Sequence, residues 1–224
     1  MAITSVKINN YVRSFDKTDD GSEPISNYYG YTPLKSGNSV PYFHHPLEKV
    51  LYPKNKNKTK FVFNELTTSH EILNNEKPVV LVFRPIFHND ADIQRLFLES
   101  LQADINVMGG KLTIITNATI RSLSAGLHQP NSLHIFSDTE NKIAELFGLY
   151  NSENQISDWL SGIEGDISLP AYYVINPDGK IVYHYIDYNF RSYKYDHFDG
   201  QHFVRQLLTN VYQNAQRLKQ LEKV

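Results

Sequence analysis

The chain has 224 residues, a formal net charge of −2 and 41% apolar residues, with 15 Tyr and 12 Phe. That length and apolar content suit one domain with a sizeable core, and the near-balanced charge gives no general attraction to nucleic acid or an anionic membrane. Cysteine is absent, which excludes disulfides, thiolate metal sites and every thiol-based mechanism.

Residues 1–33 are polar, rich in Tyr, Asn and Ser, and read as an N-terminal extension with one strand expected over 5–8. The first residues lack a basic stretch followed by an apolar one, as a secretory leader would have. No segment approaches the roughly 20 apolar residues of a membrane span. The expectation is a soluble, cytoplasmic protein that binds neither membrane nor nucleic acid. The Lys54-Asn55-Lys56-Asn57-Lys58-Thr59-Lys60 run fits that view. It has no interleaved aromatics to stack bases and reads as a solvated loop.

Residues 34–43 read as a Gly37 turn followed by a short extended piece held by Pro41. Residues 60–66 alternate at period two and predict a strand, and 67–74 a short helix with Ser69 as its cap. Residues 79–83, Val-Val-Leu-Val-Phe, form a continuous apolar run, which predicts a strand buried on both faces. Residues 89–107 predict a helix, with Ile93, Leu96, Phe97 and Leu101 on its apolar side and Gly109-Gly110 as its stop.

A second central strand is expected over 112–115, a helix over 120–127, a short strand over 134–137, and a helix over 141–149 that Gly148 loosens. Residues 151–168 read as a polar insertion carrying the single tryptophan, Trp159. Strands 171–175 and 180–185 flank Asn176-Pro177-Asp178-Gly179, a hairpin turn. Residues 203–222 predict an amphipathic helix with Val204, Leu207, Leu208, Val211, Leu218 and Leu221 on its apolar side. The alternation of strands and helices implies a central mixed sheet covered on both faces, with 79–83, 112–115 and 171–175 as neighbouring central strands.

Four segments carry a resemblance. Residues 34–43 resemble a Gly-containing turn leading to Pro-x-Phe, and 79–92 resemble a strand running into an active-site loop and helix. Residues 136–149, Phe-Ser-Asp to Phe-Gly-Leu, and 169–181, Leu-Pro-Ala-Tyr-Tyr-Val-Ile-Asn-Pro-Asp-Gly-Lys-Ile, are the more specific in combination. Together they make residues 34–224 similar to a redoxin domain of the peroxiredoxin (alkyl hydroperoxide reductase and thiol-specific antioxidant) family. The resemblance implies a thioredoxin-like, three-layer α/β/α fold and an antioxidant thiol peroxidase ancestry.

Set against the family pattern Pro-x-x-x-Thr-x-x-Cys, or its Cys-x-x-Cys variant, Pro85 matches the leading proline. Asn89 then falls at the Thr or first-Cys position and Asp92 at the remaining Cys. The family's arginine position is Pro170, which the thioredoxin-like variant also fills with proline, usually cis. The resemblance therefore implies a scaffold without thiol-dependent peroxidase activity and without catalytic residues or cofactor. Its expected role is binding an unidentified protein or small molecule, and a homodimer is left open. The alternative is an enzyme with altered, metal- or acid/base-dependent chemistry at the former thiol pocket.

His88 and Asp92, with His44 or His45, are the ligand candidates for that pocket, because a histidine with carboxylates suits a divalent ion. Helix capping alone accounts for Asn89, Asp90 and Asp92 and is the reading preferred, no His-x-x-x-His spacing marks a preformed site, and no metal is assigned. His184, His197 and His202 flank an aromatic stretch, residues 183–203, which reads as a Tyr-rich surface or dimer edge.

Overall fold

A computed structural model describes residues 28–51, 60–73, 76–85, 91–119, 133–160, 165–188 and 198–221. The strand expected over 5–8, the basic run before Lys60 and the helix expected over 120–127 lie outside them. Among the described residues the order is β1 (His44–Leu51), β2 (Lys60–Thr68), α1 (Ser69–Leu73), β3 (Val79–Phe83), α2 (Ala91–Val107), β4 (Lys111–Thr116), β5 (Ile135–Ser137), α3 (Lys142–Leu146), α4 (Ile156–Trp159), β6 (Ala171–Ile175), β7 (Ile181–Ile186) and α5 (Phe198–Leu221).

The strands form one mixed sheet in the order β2-β1-β5-β4-β3-β6-β7. β3 runs parallel to β4 and antiparallel to β6, so the three expected central strands are neighbours. Their side chains alternate between two cores, as period-two geometry requires. Val79, Leu81 and Phe83 join Tyr173, Ile175, Phe147 and Ile156 on one face. Val80 and Val82 join Tyr172, Val174, Leu112 and Ile114 on the other, under Leu98, Leu101 and Ile105 of α2 and Leu207 and Val211 of α5. A helix layer on each face makes the three-layer α/β/α arrangement. Tyr28 and Tyr31, from the segment read as an extension, are buried in the first core.

β1 has no counterpart in the sequence reading, because Pro46 argues against a strand. The ladder accommodates it: β1 pairs with β5 only over Glu48–Val50, so Pro46 is paired on the β2 side alone. Three helix ends also differ from expectation. Thr68, not Ser69, caps α1: its Oγ1 accepts the Glu71 N–H at 3.2 Å and the Glu71 carboxylate accepts the Thr68 N–H at 2.9 Å, a reciprocal capping box. Gly148 does not loosen α3 but ends it. With φ +68 it lets its own N–H reach Glu145 O and the Leu149 N–H reach Ala144 O, the Schellman closure. Leu221, expected on the buried side of α5, is 73% exposed as the last residue of the helix. Gly109 stops α2 as expected, with φ +88 and the same pair of closing bonds.

No helix among the described residues is long and apolar enough to cross a membrane.

Candidate functional site

β3 delivers its C-terminal end, Arg84-Pro85, to the place where the resemblance puts the active-site loop. Both residues are buried, and Arg84 is only 1% exposed. Burying a guanidinium is costly unless hydrogen bonds replace its water. Nη1 donates to the Tyr172 hydroxyl at 2.5 Å, and the Arg84 N–H extends the ladder to Ile115 O at 3.0 Å. Alternation explains the pairing: Val82 is opposite Tyr172 in the β3–β6 ladder, and Arg84 follows Val82 on the same face.

The register continues across the sheet. Phe83 faces Ala171 and Ala171 faces Ile186, so Arg84, Pro170 and Asp187 fall in one row at the ends of β3, β6 and β7. The Asp187 N–H closes that row on Pro170 O at 2.8 Å. Asp187 is 2% exposed. A buried arginine and a buried aspartate side chain therefore lie at one end of the sheet, beside two buried prolines.

The expectation of a cis bond at Pro170 is corrected. No cis peptide occurs among the described residues, and the trans chain runs straight from Leu169, bonded to Leu149 O, into the β6 ladder.

The other expected site residues are scattered. Asn89 and His88 lie outside the described residues, and Asp92 is the second residue of α2. His44 is exposed at the start of β1, with His45 beside it in the strand. β5 and β4 separate β1 from β3, three inter-strand spacings or roughly 14 Å. Pro85 and Pro170 are brought to one end of neighbouring strands, and His44 and His45 are not brought with them.

Arg84 was missed, although its signal was in the sequence: a cation directly after five apolar residues. Arg84 stands on the strand next to Pro170, in the same row. Tyr172 stands where the Pro-Ala-Thr-Phe pattern has Thr, and its hydroxyl meets that guanidinium.

The aromatic stretch around His184 is also corrected. Its described ends are core as much as surface, because the Tyr185 ring stacks on Phe203 at 4.4 Å and 12°, with Tyr172 against Phe203 at 5.0 Å. Its hydrophobic driving force is spent on covering the sheet with α5. Burial pushes the Tyr183 hydroxyl up to about 12 and raises that of Tyr173 further, with Tyr188 adding to the effect. His202 is exposed on α5, and His197 lies outside the described residues.

The Ser-Asp to Phe-Gly-Leu segment is explained structurally. Asp138 Oδ2 accepts the N–H groups of Ile143 and Ala144 at 2.9 and 3.0 Å, satisfying the first turn of α3. Gly148 passes beneath Thr32, where a Cβ would sit 2.0 Å from the Thr32 carbonyl oxygen. Neither residue is left over for chemistry. Among the described residues no group of three or more His, Asp or Glu side chains converges as a metal site would require.

No protein-family model matches the sequence, and comparison with curated proteins found no match. Solved structures do match in shape. Peroxiredoxin Q of Xanthomonas campestris superposes with a TM-score of 0.52 at 12% identity, covering 80% of this chain and 99% of that one. AhpC of Mycobacterium bovis superposes with a TM-score of 0.51 at 13% identity, covering 70% of this chain and 83% of that one. Likeness at such identities is likeness of fold, and the fold is the thioredoxin-like one in its peroxiredoxin form.

Proposed function

We propose that this peroxiredoxin-like, cysteine-free chain is a binding or interaction protein and not a thiol peroxidase. One observation carries the reading: the end of β3 holds a buried Arg84–Tyr172 pair beside Pro85 and Pro170 in a chain with no cysteine. Peroxide reduction in such a scaffold needs a thiolate sulfur that attacks the peroxide oxygen and becomes a sulfenic acid. A carboxylate at Asp92 is a poor nucleophile toward oxygen and has no recycling reaction with a dithiol.

The assay is peroxide consumption with dithiothreitol or a thioredoxin system as reductant. The expected result is a rate equal to the protein-free control, and turnover that tracks the purified chain ends the proposal. Elemental analysis of protein purified without chelator addresses the altered-enzyme reading, which requires stoichiometric metal that disappears in Asp92→Ala. The inherited register across residues 85–92 has its own test: Asn89→Cys with Asp92→Cys forms an intramolecular disulfide, because first-turn Cys-x-x-Cys sulfurs lie within bonding reach. The proposal extends to a cytoplasmic homodimer, which analytical ultracentrifugation and cell fractionation test.

A further inference from the structure

Ser36 and His184, 148 residues apart in the chain, meet at the β7 edge of the sheet. Ser36 lies in a tight turn, where the Asn38 N–H donates to Lys35 O at 3.0 Å and Gly37 adopts φ +95. Main-chain bonds fasten that turn to the hairpin: Gly37 N–H to Ile181 O, Ile181 N–H to Asn38 O, and Val40 N–H to Gly179 O. Ser36 is exposed and His184 half-buried.

The Ser36 Oγ lies 2.9 Å from His184 Nδ1, and the Ser36 main-chain N–H donates to the same nitrogen at 3.2 Å. A main-chain N–H can only donate, so Nδ1 carries a lone pair and the ring proton sits on Nε2. That lone pair is shared between the Ser36 main-chain N–H and the Ser36 hydroxyl, which is the nearer of the two, on an exposed residue. That is the nucleophile–base contact of acyl-transfer chemistry. Burial first, and then the Lys35 ammonium, hold the imidazole below its usual pKa, which keeps the base form present at neutral pH. Lys35 on the turn and Tyr173, opposite His184 in the β6–β7 ladder, are the titratable side chains beside it.

We propose that Ser36 and His184 form a reactive serine–histidine pair that accepts acyl groups from activated esters. In the first step Oγ bonds to the carbonyl carbon, Nδ1 takes the hydroxyl proton, and the carbon–oxygen bond to the leaving phenol or alcohol breaks as that proton is passed to it. In the second, water attacks the acyl carbon and gives a proton to Nδ1. Ser36 recovers that proton as the carboxylic acid leaves. The pair is distinct from the Arg84 row, and its fate is independent of the binding role proposed there.

The test treats the full chain with p-nitrophenyl acetate and, separately, with a fluorophosphonate, and maps the adducts by mass spectrometry. Ser36 should be labelled well ahead of Ser152, an exposed serine on the loop after α3. Ser36→Ala should lose the adduct, and His184→Gln should slow labelling by about 100-fold or more. The rate should rise with pH and level off by about pH 7, and Lys35→Gln should move its midpoint upward. The main-chain fastening of the turn does not involve these side chains, so the variants keep the fold, which circular dichroism verifies. Labelling of Ser36 no faster than Ser152, or unchanged in His184→Gln, would overturn the proposal and leave the contact as a clip for the turn.

Discussion

Tyr172 and Tyr173 are neighbours in β6, both fully buried, and their hydroxyls have opposite fates. Tyr172 accepts from the Arg84 guanidinium, whereas the Tyr173 Oη has no hydrogen-bond partner among the described residues. A hydrogen bond to a buried charge contributes about 1.5–3 kcal/mol, and Tyr172→Phe should lose that amount. Tyr173→Phe should leave stability unchanged or raise it by about 1 kcal/mol, since an unsatisfied buried hydroxyl is removed. Urea unfolding of the two single variants checks the pair, and the difference in sign is the informative result.

His184 supplies a pH prediction at the same scale. Its folded pKa is lowered from 6.5, so below that value the unfolded chain binds more protons than the folded one. Stability contributed here is complete above about pH 6.5 and is lost as pH falls toward the lowered folded value. His184→Gln should flatten that acidic decline, as urea midpoints measured from pH 5 to 8 would show.

Helix ends decide how the elements meet. The Thr68–Glu71 capping box starts α1 directly from the end of β2, and Thr68→Ala should cost about 1 kcal/mol. Gly148 carries two burdens, a positive φ and a carbonyl oxygen of Thr32 where a Cβ would be. Gly37 carries only the first, with nothing within 4 Å of its would-be Cβ. Gly37→Ala should cost about 1–3 kcal/mol of backbone strain. Gly148→Ala should exceed it by more than about 1 kcal/mol, because main chain and not a flexible side chain must move. Thermal unfolding of the two alanine variants ranks them.

For the whole molecule, the segment from Tyr28 to Leu34 is a strap across the ends of other elements. The Tyr28 hydroxyl donates to Tyr188 O, the Tyr31 hydroxyl to Asn154 O at 2.9 Å, and the Leu34 N–H to Phe147 O at 3.0 Å. Tyr28 also packs edge-on against Trp159 at 5.0 Å. Removing residues 1–33 should therefore lower stability by about 3 kcal/mol or more, the scale of deleting a buried aromatic side chain. A melting temperature equal to that of the full chain would show that the strap only decorates the sheet.

The sequence by itself determined the apolar runs of β3, β4 and β6 and the Asn176–Gly179 turn. It also determined the amphipathic α5 and the exclusion of thiol chemistry. Each of these follows from local pattern or composition, which need no partner to be read. Tertiary structure alone decided the rest. β1 is a strand despite Pro46 because pairing to β5 stops short of it. Thr68 caps α1 because Glu71 can reach back to it, and Gly148 is required because Thr32, more than 100 residues earlier, passes over it. The row of Arg84, Pro170 and Asp187 and the contact of Ser36 with His184 exist only once β3, β6 and β7 are in register. Both depend on ladders between distant segments, and periodicity within one segment says which face a residue takes but not which residue will stand opposite.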